Sequence, residues 1–203
     1  MTATHECRVA LLPLEASKQA AEEVGLPAGF AELNIFRALL RRPAIAKAVC
    51  DLLLANFGST LDHRLRELVI MRLGWATGSD YEWTQHWSIA QERFGCSEKD
   101  LLEVRSWQGS AHFGATERAV LAATDETIET GALSAETFAR CQALLGESVL
   151  DLVSAIGAWR LVSQVLRSLE VPLEDGVASW PPDGLAPPAP PTRPTRPTRE
   201  ALS

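Results

Sequence analysis

Three side chains in this sequence have the types and spacing needed for proton transfer. Glu82 and His86 lie four residues apart in the stretch Gly78-Ser79-Asp80-Tyr81-Glu82-Trp83-Thr84-Gln85-His86-Trp87, and Glu67 lies one helical segment earlier. On a helix, residues i and i+4 are one turn apart on the same side, so an acid and an imidazole come within hydrogen-bond reach. The pair can serve as base and orienting acid, with a second acid holding another proton. Trp83, Trp87, Ala90 and Phe94 form an apolar stripe beside it that would exclude water. The plainer alternative is a hydrogen bond on a helix surface.

Glu67 is followed at three, four and seven residues by Ile70, Met71 and Gly74, none with a polar side-chain atom. A carboxylate facing that strip is poorly solvated, and its pKa rises unless a cation answers it. Arg64 or His63, one turn earlier, could instead hold it in an ordinary salt bridge. Tyr81, the sole tyrosine, can donate to an oxyanion or anchor the junction where the helix begins. His63 and His112 stand in polar or loop contexts and read as surface residues. No metal site is expected, because a Glu-x-x-His site needs three-residue spacing and a second copy, and no His-Glu-x-x-His occurs.

The elements that must position these groups are all helical. Leu33, Phe36, Leu39 and Leu40 share a face before Pro43, and residues 44–57 continue with Ile45, Val49, Leu52 and Leu53 at helical spacing. Pro43 suits a first helical turn. Residues 62–76 are apolar around most of their circumference, which implies a buried helix and more apolar surface than one small domain covers, hence an oligomer. Further helices are expected over 79–94, 98–107, 116–130, 135–145 and from about 149 to 169. Ser97-Glu98-Lys99-Asp100 and Ser148-Val149-Leu150-Asp151 have the form of capping boxes. No period-two alternation persists, so the fold class is all-α with roughly eight helices.

Residues 1–30 read as an N-terminal arm with at most one short helix, residues 31–173 as the helical domain, and residues 174–203 as a Pro-rich disordered tail. The tail contains PPAPP and a repeated Pro-Thr-Arg triplet, a composition that buries too little apolar surface to fold. The net charge of −7 and the lack of a basic stripe speak against a nucleic-acid partner. No run approaches the roughly 20 apolar residues that cross a bilayer, so no membrane role and a cytoplasmic location are expected. Cys7, Cys50, Cys96 and Cys141 are far apart with no Cys-x-x-Cys pair and read as free thiols. Cys96 opens a helix, a setting that can lower a thiol pKa, and is read as structural for want of a second cysteine nearby.

These residues resemble the carboxymuconolactone decarboxylase superfamily, which includes the alkylhydroperoxidase-D-like enzymes. The resemblance rests on Arg66-Glu67-Leu68-Val69-Ile70-Met71-Arg72-Leu73, Thr77-Gly78, Tyr81-Glu82-Trp83 with His86, Ser88-Ile89-Ala90 and Gly95-Cys96-Ser97. It continues in Glu117-Arg118-Ala119-Val120-Leu121 and Gly131-Ala132-Leu133-Ser134, and spans roughly residues 33–173. The redox branch of that superfamily carries Cys-x-x-Cys-x-x-x-His, and its cysteine positions fall here on Ser79 and Glu82. A serine and a glutamate cannot cycle through a disulfide.

The Glu-Trp-x-x-His form is similar to the decarboxylase branch, whose members use neither metal nor organic cofactor. The resemblance implies a cofactor-independent decarboxylase, lyase or isomerase acting on a small carboxylated or lactone-type substrate. Glu67, Glu82 and His86 would be catalytic, with Glu82 orienting His86. Tyr81 and Trp83 would contact substrate, and Arg72 or Arg160 would supply a cation for its carboxylate. A homo-oligomer, trimer or hexamer, is implied as well. The alternatives are a peroxidase-like redox protein with Cys96 as nucleophile, and a non-catalytic helical binding or assembly module.

Overall fold

The chain folds around α4 (His63–Thr77). In the computed structural model, which describes residues 7–188, Leu68, Val69, Ile70, Met71 and Leu73 of this helix are fully buried. Asp62 starts α4 by accepting a hydrogen bond from the Leu65 N–H at 3.0 Å, which satisfies one of the free donors of the first turn. Gly78 ends it at φ +70°, a left-handed conformation that costs glycine little because it has no Cβ. The chain then returns as α5 (Asp80–Phe94), packed along α4. Gly74 makes this approach possible: a Cβ there would lie 3.1 Å from the Trp83 nitrogen and 3.4 Å from the Glu82 Cβ.

The described residues contain nine α-helices and no strand. The order is α1 (Leu14–Glu23), α2 (Asn34–Leu39), α3 (Pro43–Phe57), α4, α5, α6 (Glu98–Glu103), α7 (Ala115–Thr130), α8 (Ala135–Leu145) and α9 (Val149–Leu169). Helices α7 and α9 cover the sides of α4 that α5 leaves open. The all-round apolar pattern of α4 is therefore answered within one chain, and the inference of an oligomer from that helix does not stand. Ser97 and Asp100 form the expected capping box at α6. The second one is not made. Ser148 bonds the Thr60 hydroxyl at 2.9 Å and Asp151 takes the Thr60 N–H at 3.0 Å, so both tie α9 to the loop before α4.

Both chain ends depart from expectation. Helix α1 and the following 3₁₀ turn, Ala28–Glu32, pack onto the domain, with Ser17, Ala21, Leu26 and Ala31 buried. Residues 174–188, expected in the disordered tail, run back over α5. Trp180 is 9% exposed, its ring 5.9 Å from that of Trp75 and 6.2 Å from that of Trp83. The Trp83 indole donates to the Pro181 carbonyl at 2.7 Å, and Arg105 pairs with Asp183. A tryptophan buries enough apolar area to order a short segment that its prolines alone would not. The Pro-Thr-Arg repeats, within residues 189–203, lie outside the described residues.

A stretch spanning α8 and α9 is long and apolar enough to cross a membrane, but half of its most apolar window is buried inside the fold. Leu152, Ile156, Trp159 and Leu166 of α9 belong to the core.

Candidate active site

Helix α4 delivers Glu67 to the interior, where it is 0% exposed. Its two oxygens are committed to different partners. Oε1 accepts from the Arg66 guanidinium at 3.1 and 3.3 Å, and Oε2 lies 2.8 Å from His86 Nδ1. Because Glu67 faces a cation on one side, it is the acceptor on the other, so Nδ1 carries the hydrogen and Nε2 is left for chemistry. Arg66 is also 0% exposed. Its guanidinium lies between the rings of Phe57 and Phe94, 4.6 Å from each centroid, an arrangement in which ring quadrupoles replace water around a cation.

His86 is therefore oriented by Glu67 and not by Glu82, which corrects the pairing expected from the i, i+4 spacing. That spacing places both on one side of α5, but Glu82 is 4% exposed and its Oε2 has no hydrogen-bond partner. Burial pushes the Glu82 carboxyl up to about 7; the nearby His86 works against this and Glu67 adds to it. Burial by itself would lower the pKa of His86. The charge and hydrogen bond of Glu67, with Glu82 behind them, outweigh burial and the opposing Arg66, so His86 lies above its ordinary value.

Glu82 and His86 border a cavity of about 430 Å³. Its walls are mostly apolar, with Phe36, Phe57, Ile89 and Trp159 among them, and its other polar side chains are Tyr81, Gln85 and Arg93. Phe30, Leu33 and Ile35 also line it, so the boundary drawn at residue 30 cuts through one wall. The cavity is of a size and composition suited to a small, largely apolar molecule.

The other expected site residues divide. Tyr81 reaches the cavity, but its hydroxyl donates to Glu174 at 2.5 Å, and burial together with Glu174 raises the phenol pKa far above its usual range. Trp83 is fully buried among Trp75, Trp87 and Trp180 and does not line the cavity. Arg72 points elsewhere, pairing with Asp125 (3.0 Å through Nη2) and with two backbone carbonyls. Arg160 lines a separate surface cleft with Thr77 and Ile128. The cation bordering the cavity is instead Arg93, which is exposed.

Arg64, a sequence candidate for pairing with Glu67, is engaged by Asp100 and Glu117. His112 also bonds Asp100, at 2.9 Å, and is not an isolated surface residue. Arg66 is the functional residue that the sequence reading passed over. Its signal was indirect: an arginine next to an acid in an otherwise apolar helix must have a buried anion or aromatic faces to meet. Cys96 is buried, its thiol pushed up to about 12 by burial and by the acids Glu67 and Asp100, and no cysteine lines the cavity.

Together these features define a helical protein whose buried ion-pair chain ends at a small-molecule cavity. The model described as "Carboxymuconolactone decarboxylase family" matches residues 43–126, from α3 to α7. Solved structures share the fold. A peroxidase-related protein from Ralstonia eutropha, described as an alkylhydroperoxidase AhpD core, is 15% identical with a TM-score of 0.70, covering 91% of this chain and 100% of its own. A protein of unknown function from Agrobacterium tumefaciens, described as a putative antioxidant defence protein AhpD, is 24% identical with a TM-score of 0.61, covering 66% and 94%. The debrominase Bmp8, in complex with 2,3,4-tribromopyrrole, is 18% identical with a TM-score of 0.62, covering 80% and 86%. No curated protein shows significant sequence similarity. Family match and fold together place the chain in the carboxymuconolactone decarboxylase superfamily, with the alkylhydroperoxidase-D-like fold.

Proposed function

We propose that this protein is a cofactor-independent acid/base enzyme, a decarboxylase, lyase or isomerase, acting on a small carboxylated or lactone-type substrate with a largely apolar body. The observation that carries the reading is the chain Arg66–Glu67–His86, which ends at the wall of an apolar cavity beside a carboxyl held near neutrality. His86 Nε2 takes or gives a proton at carbon or oxygen while Glu67 stabilises the imidazolium. Glu82, close to half-protonated at neutral pH, acts on the neighbouring atom in the opposite sense. In a decarboxylation, the bond to the carboxylate breaks, its electron pair enters a conjugated carbonyl, CO₂ leaves, and one of these groups supplies the proton that completes the product.

A thiol peroxidase gains no support. Ser79 and Glu82 occupy the positions of the redox cysteines, and Cys96 is buried with a raised pKa outside the cavity wall. Free thiols, buried at Cys50, Cys96 and Cys141, agree with a reducing compartment, which supports a cytoplasmic location.

The test is deuterium incorporation at carbon, followed by NMR in D₂O, with CO₂ release, across a panel of small lactones and unsaturated acids. Wild type is expected to exchange or decarboxylate at least one compound, and His86→Ala and Glu67→Gln to abolish it. Undiminished exchange in both variants would overturn the assignment.

A further inference from the structure

The segment after α9 reaches the cavity through one side chain, Glu174. Its Oε1 accepts from the Tyr81 hydroxyl at 2.5 Å and from the Asn34 backbone N–H at 2.8 Å. Its Oε2 accepts from the Gln85 amide nitrogen. An ionised carboxylate has only acceptors to offer, so each neighbour must donate to it. Both Tyr81 and Gln85 line the cavity on the same helix as Glu82 and His86. With its NH₂ group turned to Glu174, Gln85 keeps its carbonyl oxygen, Oε1, unpaired among the described residues. The phenol of Tyr81, its one hydrogen given to Glu174, has no proton left for a ligand.

We propose that Glu174 is a positioning residue that sets the hydrogen-bond polarity of this end of the cavity, selecting substrates whose apolar body carries a hydroxyl or N–H donor there. A ligand offering only a carbonyl or ether oxygen would meet the Gln85 oxygen and find no donor on Tyr81. The requirement comes from a segment beyond the stretch matched by the family model, so it belongs to this chain's own architecture. It rests on the acid/base reading only in taking this cavity as the substrate site.

Binding of 2-naphthol and of 2-fluoronaphthalene, similar in shape but lacking the donor, is measured by isothermal titration calorimetry on the full chain. Wild type is expected to prefer the naphthol roughly three- to ten-fold, the range one net hydrogen bond supplies. In Glu174→Gln, the new side chain can both donate and accept, Gln85 is free to turn over, and the preference falls to about one. Gln85→Leu loses it as well. A merely structural role for Glu174 would weaken both probes together and leave their ratio intact, and that result overturns the proposal. Equal affinity of wild type for the two compounds, or no measurable binding of either, overturns it too. The ratio is expected to persist in His86→Ala, so loss of exchange chemistry and loss of donor selectivity are separate failures.

Discussion

Glu67→Gln changes one atom's protonation capacity and leaves the volume of the side chain intact, so its consequences are almost entirely electrostatic. In the folded protein it leaves the 0% exposed Arg66 without its anion. Removing one partner of a buried ion pair costs about 3–5 kcal/mol. The amide oxygen of the substituted side chain can still accept from Arg66, and the Phe57 and Phe94 faces remain, returning about 1–2 kcal/mol. The expected net loss is about 2–4 kcal/mol, or a fall in Tm of roughly 5–15 °C for a chain of this size.

The loss should depend on pH in a definite sense. A raised His86 pKa contributes stability that is fully present below the ordinary imidazole value and is lost as pH rises through the folded value. Without Glu67, burial dominates and pulls the His86 pKa down, which makes low pH the unfavourable side. Glu82 acts in the same direction, since Glu67 is one of the causes of its raised pKa. The gap between wild type and Glu67→Gln should therefore widen from pH 8 to pH 6, measured by urea unfolding followed by circular dichroism. A gap below about 1 kcal/mol, or one constant across that range, would refute the buried-pair argument.

Three other perturbations have defined outcomes. Glu82→Gln should be more stable than wild type at pH 8 relative to pH 5, by about 3 kcal/mol, because a carboxyl raised to about 7 costs stability as pH climbs from its unfolded value through the folded one; equal pH profiles of urea unfolding would contradict this. Gly74→Ala should force α4 and α5 apart at Glu82 and Trp83, costing about 1–3 kcal/mol despite the better helix propensity of alanine; thermal unfolding decides it, with a stabilised variant as the contrary result. We also propose that the chain self-associates through its exposed apolar side chains, among them Ile45 on α3 and Leu150 on α9, which are 54% and 72% exposed. Sedimentation velocity should find an oligomer in wild type and a smaller species in a variant carrying Ile45→Glu and Leu150→Glu, and a monomeric wild type would end that idea.

Much of the fold was legible because helical periodicity is a local property. The register of α3, α4, α5 and α7 follows from apolar residues three and four apart, and Asp62, Ser97 and Ser134 each cap the helix they precede. The ends were less legible. Trp180 sits among prolines that read as unfolded, and only the presence of Trp75 and Trp83 in space gives it something to bury against. Ser148 and Asp151 have a capping sequence, but Thr60, distant in the chain, bonds both.

The chemistry divides in the same way. Residue type and spacing alone determined that Glu67, Glu82 and His86 belong near one another and that no paired thiol stands among them, because helix geometry fixes which residues share a side. Tertiary structure decided the pairings. His86 bonds Glu67 across two helices and not the acid one turn away on its own helix, and Glu82 is left unpaired at the cavity wall. It also decided which cation faces the cavity, Arg93 and not Arg72 or Arg160, and brought Phe57 and Phe94 together on opposite faces of Arg66. The reason is physical. A hydrogen bond or ion pair depends on a few ångströms between atoms, and in a helical bundle those distances are set by how helices pack rather than by separation along the chain.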